Sequence, residues 1–301
     1  MRSAHHPGAR VDCGAYRGDI EGFCEWLGES LSGRASCTFH KLGNVLITVD
    51  GERAYGETYA IVHRVGGEAS APQDLILGLR YLDRFECRGG EWRIAERQVS
   101  YEWERRIPLG PQQLAEGYRR GRRDGGDPVQ SWKAPVVRSE QEALARLVDR
   151  SAIYAQLVGY CRGVDRCDEA LVRSAYHTDA YDDHGAYRGG VDGFIGFVQR
   201  DVQARFRCTM HKLGHALIEV DGDVARSETY AIGHHVRAQE GRDVDDYVMG
   251  IRYLDRFERR AGEWRIAERE LRFEWQRLDP LRALDPNWTL GRHDPSDPVY
   301  E

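Results

Sequence analysis

Cys208-Thr-Met-His211-Lys-Leu-Gly-His215-Ala-Leu-Ile-Glu-Val-Asp-Gly-Asp223 decides the fold: it sets an imidazole on a strand-like run and recurs as Cys37-Thr-Phe-His40-Lys-Leu-Gly-Asn44. His40 and His211 lie 171 residues apart. The same spacing carries Gly14-Ala-Tyr-Arg-Gly18 onto Gly185-Ala-Tyr-Arg-Gly189, and Glu57-Thr-Tyr-Ala-Ile61 onto Glu228-Thr-Tyr-Ala-Ile232. A spacing of 172 carries Arg80-Tyr-Leu-Asp-Arg-Phe-Glu86 and Gly90-Glu-Trp-Arg-Ile-Ala-Glu-Arg97 onto Arg252–Glu258 and Gly262–Arg269. The chain is therefore a duplicated domain, and two copies are too few for a solenoid.

A chain of 301 residues, 41% hydrophobic and 31% charged, can bury two ordinary cores, which the duplication requires. A net charge of −6 and a pI near 6.0 give no electrostatic case for nucleic acid. The one basic cluster, Arg119-Arg120-Gly-Arg122-Arg123, runs straight into Asp124 and Asp127 and reads as solvated linker. Met1–Pro7 has no apolar core of a signal peptide, and no stretch reaches membrane-spanning length, so the expected location is the cytoplasm with no membrane partner. Seven cysteines, an odd number without a secretory signal, point to reduced thiols.

Arg2-Ser-Ala matches Arg173-Ser-Ala, so the first copy opens in the middle of what is a helix in the second. Phe23, Trp26, Leu27 and Leu31 share one helical face, as does the partner stretch 194–202. Val45–Val49 reads as a strand ending in the hairpin signal Asp50-Gly51, repeated as Asp221-Gly222. Residues 53–65, 75–86 and 92–103 are the strands that follow. Residues 111–138, with Pro111, Gly117, Gly125-Gly126, Pro128 and Pro135 among charges, have linker composition, within which 112–122 reads as a possible short helix. Ser139-Glu-Gln-Glu opens a capped helix that carries Leu144, Leu147, Val148, Ile153, Leu157 and Cys161 and is expected to end near Gly163. A second helix starts near Asp165 or Asp168. The tail 281–301, with Pro286, Pro295 and Pro298, reads as extended, with Trp288 as an anchor. Helices followed by hairpin-linked strands describe an α+β class: two tandem cone-shaped domains, each a curved antiparallel sheet covered by helices, the first copy without its N-terminal helix. That first copy would expose Phe23 and Trp26 unless something covers them.

Tyr160, Asp165, His211 and Arg269 form a coherent acid/base set. A neutral imidazole accepts a proton at neutral pH, and a carboxylate beside it fixes the tautomer. A tyrosine donates a hydrogen bond to a developing oxyanion, and an arginine neutralises charge. Each has a plainer alternative. Asp165 is placed to cap the next helix, Tyr160 to be core, His211 to be structural, and Arg269 to pair with Glu268, Glu270 or Glu274 across the sheet.

Tyr160-Cys-Arg-Gly-Val-Asp165-Arg-Cys-Asp168, the Tyr-His-x-Asp stretch at Tyr176–Asp179, Gly185–Gly189, the Thr-Met-His211 strand and Gly262-Glu-Trp-Arg-Ile together resemble the SnoaL-like branch of the nuclear transport factor 2-like superfamily. The resemblance covers 139–280 as a complete domain and 1–110 as a truncated one. It is nearest to the cofactor-independent lyases: scytalone dehydratase, bile acid 7α-dehydratase and hexachlorocyclohexane dehydrochlorinase. It implies an aspartate on Asp165, a histidine on His211, the tyrosine of the bile acid enzyme on Tyr160 and an arginine on Arg269. The dehydrochlorinase has a lysine at the place of Tyr160, so halide elimination is not implied. Where scytalone dehydratase carries a second histidine, this chain is expected to have Tyr230.

The implied activity is a cofactor-independent lyase of dehydratase type, or an isomerase, acting on a small, largely apolar cyclic or polyketide- or steroid-like substrate. Tyr230, Tyr181 and Tyr253 are the expected substrate-binding residues. The alternative is a non-catalytic ligand-binding or assembly module on the same fold. No cofactor is expected, since the chain has no phosphate-cradling glycine loop, nucleophile elbow or Rossmann fingerprint. No metal is expected either, since neither His5-His6 nor His234-His235 can aim both rings at one point on a strand, and the second member of the His211/His215 pair is Asn44 in the first copy. The expected partners are a small molecule and, within the chain, a pseudo-dimer of the two domains, with further homo-oligomerisation open.

Overall fold

The computed structural model describes residues 1–31, 35–67, 71–109, 139–239 and 242–281, together with 117, 119–122, 126, 127, 129 and 132 from the intervening stretch. It divides into two compact units, Met1–Pro111 and Gln112–Glu301. The expected extended tail and its Trp288, and the side chain of Leu31, lie outside the described residues.

The first helix of the second unit is α2, Glu140–Arg166, which follows α1 of the first unit (Ile20–Leu31). Ser139 caps α2 by accepting the Glu142 amide at 3.1 Å, as the capping signal requires. Ile153, Leu157, Tyr160, Cys161 and Val164 recur at helical spacing and are buried, which fixes the face α2 turns to the sheet. The helix runs past Gly163 and stops only where Cys167 enters the left-handed region at φ 56°, with the Asp168 amide donating to the Gly163 carbonyl at 2.8 Å. A side chain at Gly163 would strike Val172 at 2.7 Å, so this glycine lets the short helix α3 (Glu169–Ser174) fold back closely. Asp168 caps α3 by accepting the Leu171 amide at 2.9 Å. Asp165 is thus the last turn of α2 and caps nothing.

The first unit holds β1 (His5–Asp12), β2 (Arg17–Asp19), β3 (Ala35–Asp50), β4 (Arg53–Gly66), β5 (Gln73–Arg88) and β6 (Glu91–Pro108), in the sheet order β2-β1-β6-β5-β4-β3. After β7 (Arg119–Arg120), the second unit holds β8 (Tyr176–Asp183), β9 (Arg188–Gly190), β10 (Cys208–Asp221), β11 (Val224–Gln239), β12 (Arg242–Arg260) and β13 (Glu263–Pro280), ordered β10-β11-β12-β13-β8-β9. Helix α4 (Val191–Phe197) and a π-helical segment Val198–Gln203 connect β9 to β10. Both hairpin glycines, Gly51 (φ 56°) and Gly222 (φ 61°), take the turn conformation their sequence signal demands. The bulges repeat as well. Register slips at Leu42/Val45, Gly78/Leu79 and Arg84/Phe85 recur at Leu213/Ala216, Gly250/Ile251 and Arg256/Phe257. Each bends its strand, so the two sheets are curved at equivalent places.

Two elements depart from expectation. Residues 5–12 and 176–183 form strands parallel to β6 and β13, a pairing with no hairpin signal to announce it. The stretch read as solvated linker also reaches the second sheet. At the end of the stretch expected as a short helix, Arg119–Arg120 pairs with Arg272–Phe273 as a strand, while 112–116 and 118 lie outside the described residues, and Asp127 is buried against Arg252 at 2.5 Å. The side chain of Glu274 fills the space beside Gly121, so that backbone lies directly on the sheet.

Candidate functional site

Asp165 and His211 meet where the last turn of α2 crosses the start of β10. Asp165 Oδ1 stands 2.7 Å from His211 Nδ1 and accepts the Thr209 hydroxyl at 2.8 Å, while Oδ2 accepts the His211 backbone amide at 2.8 Å. Both side chains are nearly buried. Burial alone would raise the carboxyl's pKa, but the charge and hydrogen bonds of His211 and Thr209 outweigh it and hold Asp165 below the ordinary carboxylate range. An ionised Asp165 fixes the Nδ1–H tautomer and leaves Nε2 as the basic nitrogen. The pair borders an open cavity of about 350 Å³, also lined by Tyr154, Val158, Cys161, Arg162, Arg166 and Leu213.

A second imidazole completes this region. His211 pairs with Gly233 across to β11, so residues 233 and 235 share its face and residues 230, 232 and 234 take the other. His235 accordingly stands edge-on to His211, ring centroids 5.3 Å apart at 86°, with Phe206 at 5.0 Å on another side. Burial, reinforced by His211, pushes its pKa down to about 3, so it is neutral. Tyr230, expected at this place, lies on the opposite face. There it stacks on His215 at 4.3 Å, near an ion-pair cluster in which Arg252 binds Asp127, Glu228 and Glu274. The register slip at Leu213/Ala216 is what turns His235 toward His211: counted from the Asp221-Gly222 hairpin without it, His211 would lie opposite His234 and share its face with Tyr230.

Tyr160 is 2% exposed and sits elsewhere in the core. Its hydroxyl lies 2.9 Å from His184 Nε2, His184 Nδ1 contacts Asp182 Oδ1, and Asp182 Oδ2 accepts the Tyr176 hydroxyl at 2.6 Å. Burial holds Tyr160 well above the ordinary phenol range against the pull of Arg269, so it keeps its proton. Asp182-Asp183-His184-Gly185 reads in the sequence only as a turn and carries no signal for the pairing of His184 with Asp182. Val11 and Cys13 occupy their places in the first unit.

Arg269 is wholly buried and binds Asp255 through two hydrogen bonds of 2.6 and 2.9 Å, with its guanidinium 4.0 Å from the Tyr160 ring and 4.3 Å from Tyr253. The glutamates expected as partners are not: Glu268 and Glu270 alternate onto the other face, and Glu274 binds Arg252. The first unit repeats the arrangement, with Arg97 on Asp83 at 2.7 Å and 4.3 Å from Tyr81. A pair present in both units is a fixture of the fold. Tyr253 is core at 1% exposure, whereas Tyr181, beside the inward Asp182, points the other way at 47%. Among the described residues no cluster of three metal-ligating side chains occurs, and no helix is long and apolar enough to cross a membrane.

In comparison with known proteins, the chain is 31% identical over 130 residues to the uncharacterised protein Rv2910c of Mycobacterium tuberculosis, which spans 42% of this chain and 86% of that protein. Among solved structures, hexachlorocyclohexane dehydrochlorinase LinA-type3 from Novosphingobium barchaimii aligns at 22% identity and a TM-score of 0.42, covering 48% of this chain and 99% of the other. The Kfla4162 protein of Kribbella flavida aligns at 18% and 0.39, covering 44% and 94%. The SnoaL-like domain family model matches twice, over residues 1–98 and 145–270, once in each unit. Most of the chain is thereby accounted for, and it belongs to the SnoaL-like family as a tandem pair of its domains.

Proposed function

We propose that the second unit is a cofactor-independent lyase of dehydratase type, or an isomerase, with His211 as general base and Asp165 as the group that orients it. The observation that carries this reading is the Asp165–His211 contact of 2.7 Å on the wall of an open cavity. His211 Nε2 takes a proton from a carbon next to a carbonyl, and the electron pair of that C–H bond becomes an enolate. In the eliminating case the enolate collapses to a C=C bond as the C–O bond to a β-hydroxyl breaks. The hydroxyl leaves as water with the proton returned by the imidazolium. In the isomerising case the proton returns to a different carbon. General acid/base groups of this kind contribute about a hundredfold or more.

Arg162 and Arg166, one turn apart on α2, bring positive charge to the cavity wall and favour a substrate with an anionic or enolisable group beside an apolar body. Tyr160, bound to His184, supports the reaction by shaping and polarising the core behind the base. Arg269 holds that core through Asp255. The test incubates the protein with a panel of cyclic β-hydroxy ketones in D2O, following enone absorbance and deuterium incorporation. Turnover or exchange lost in His211→Ala supports the reading. A panel on which wild type and His211→Ala behave alike overturns it.

A further inference from the structure

The repeat allows each position of one unit to be compared with its counterpart. In the second unit Ile218, Val220 and Trp264 are 7%, 5% and 4% exposed, because α2 lies on them. They share one core with Ile153 and Leu157, and Trp264 Nε1 donates to Asp149 of α2 at 2.8 Å. Their counterparts Ile47, Val49 and Trp92 are 53%, 63% and 45% exposed. Val45 joins them on the same face at 54%. Four large apolar side chains open to solvent on one sheet face exceed the scattered exposure normal for a soluble protein.

The polar half of the helix contact is also present. Thr209 and His211, which grip Asp165, recur as Thr38 and His40, and His40 is exposed with Nδ1 3.2 Å from the Tyr81 hydroxyl. Phe194 of α4 stacks on Tyr160 of α2 with centroids 6.1 Å apart. Its counterpart Phe23 instead packs only partly, against Tyr16 and Trp26 at 5.6 and 5.8 Å. We propose that the inner sheet face of the first unit is a docking surface for an amphipathic helix of α2's chemistry, whose aspartate pairs with His40 to close a second Asp–His site. The occupant is set by the fold itself, since the same face in the second unit shows which side chains it receives. Val45, Ile47 and Val49 take the apolar stripe, Phe23 takes the tyrosine ring, and Thr38 with His40 takes the carboxylate.

A synthetic peptide of residues 139–168 added under reducing conditions to the full chain tests this, with hydrogen exchange read by mass spectrometry. A fusion placing the same residues and a flexible linker before Met1 provides a second measurement at high effective concentration. The expected result is saturable binding, new protection in β3 and β6, and a raised melting temperature for the fusion. Ile47→Asp in the protein or Leu157→Asp in the added helix should remove all three. Asp165→Ala in the added helix should weaken peptide binding at least several-fold in the wild type and much less in His40→Ala. No binding and no stabilisation, protection confined to β10, or insensitivity to Ile47→Asp would overturn the proposal. So would self-association of the chain through Ile47 that excludes the helix, which would make a second copy the occupant.

Discussion

His235 stands edge-on to His211 on the neighbouring strand, the two rings 5.3 Å apart. One imidazole is tied to a carboxylate and the other has its Nδ1 buried without a hydrogen-bond partner among the described residues. The difference has a consequence for stability against pH. The folded-state pKa of His235 is depressed to about 3, against an ordinary value of 6.5. Between those values the unfolded chain binds the proton and the folded chain does not. The contribution is complete above about pH 6.5 and is lost as pH falls toward 3, at up to about 1.4 kcal/mol per pH unit. Urea midpoints measured from pH 7 to 4 should therefore fall less steeply in His235→Gln than in wild type; equal slopes would show that the imidazole is not held neutral.

Asp165 and Asp168 differ in role although they stand only three residues apart. Asp168→Ala removes the cap of α3 and should cost about 1 kcal/mol in chemical denaturation. Asp165→Asn removes no cap. It leaves Thr209, the His211 amide and His211 Nδ1 facing a neutral side chain, so its larger effect should appear in the His211 tautomer seen by ¹⁵N NMR. An unchanged Nδ1–H tautomer in Asp165→Asn would contradict the assigned contact.

Arg269→Ala leaves Asp255 charged and uncompensated in a dry core. Breaking one side of a buried pair costs about 3–5 kcal/mol, so the variant should lose the folded second unit in calorimetry, not merely activity. Arg97→Ala should cost less, because Arg97 is a quarter exposed. A folded, inactive Arg269→Ala protein would restore the arginine to the chemistry.

Tyr160→Phe tests the second polar chain. It strips one partner from His184 Nε2 without changing the shape of the ring, and should cost about 1–3 kcal/mol of stability if His184 is left unsatisfied. The double variant Tyr160→Phe/His184→Phe should recover part of that loss. Additive losses measured by denaturation would mean the two groups are not coupled.

Much of the fold was legible because the chain states it twice. The hairpin glycines, the Ser139 cap and the four long strands of each unit are local signals, and the repeat gives the glycines and the strands a second reading. The parallel pairing of residues 5–12 and 176–183 was not legible, because it joins segments far apart without a turn between them. At the site, Asp165 and His211 could be named from their residue types. The partner of Arg269 could not, since Asp255 lies opposite it only after a bulge shifts the register at Arg256/Phe257. His235 is hidden in the same way, since it shares a face with His211 only after the bulge at Leu213/Ala216 shifts the register from the one the Asp221-Gly222 hairpin sets.

The most direct test of the Asp-oriented base is a double-mutant cycle on kcat/KM, using whichever β-hydroxy ketone of the panel is turned over. Asp165→Asn and His211→Ala should each lower it by about a hundredfold or more, and the double variant should be no worse than His211→Ala alone, because the two side chains act as one unit. Losses that multiply in the double variant, or a fully active Asp165→Asn protein, would contradict it.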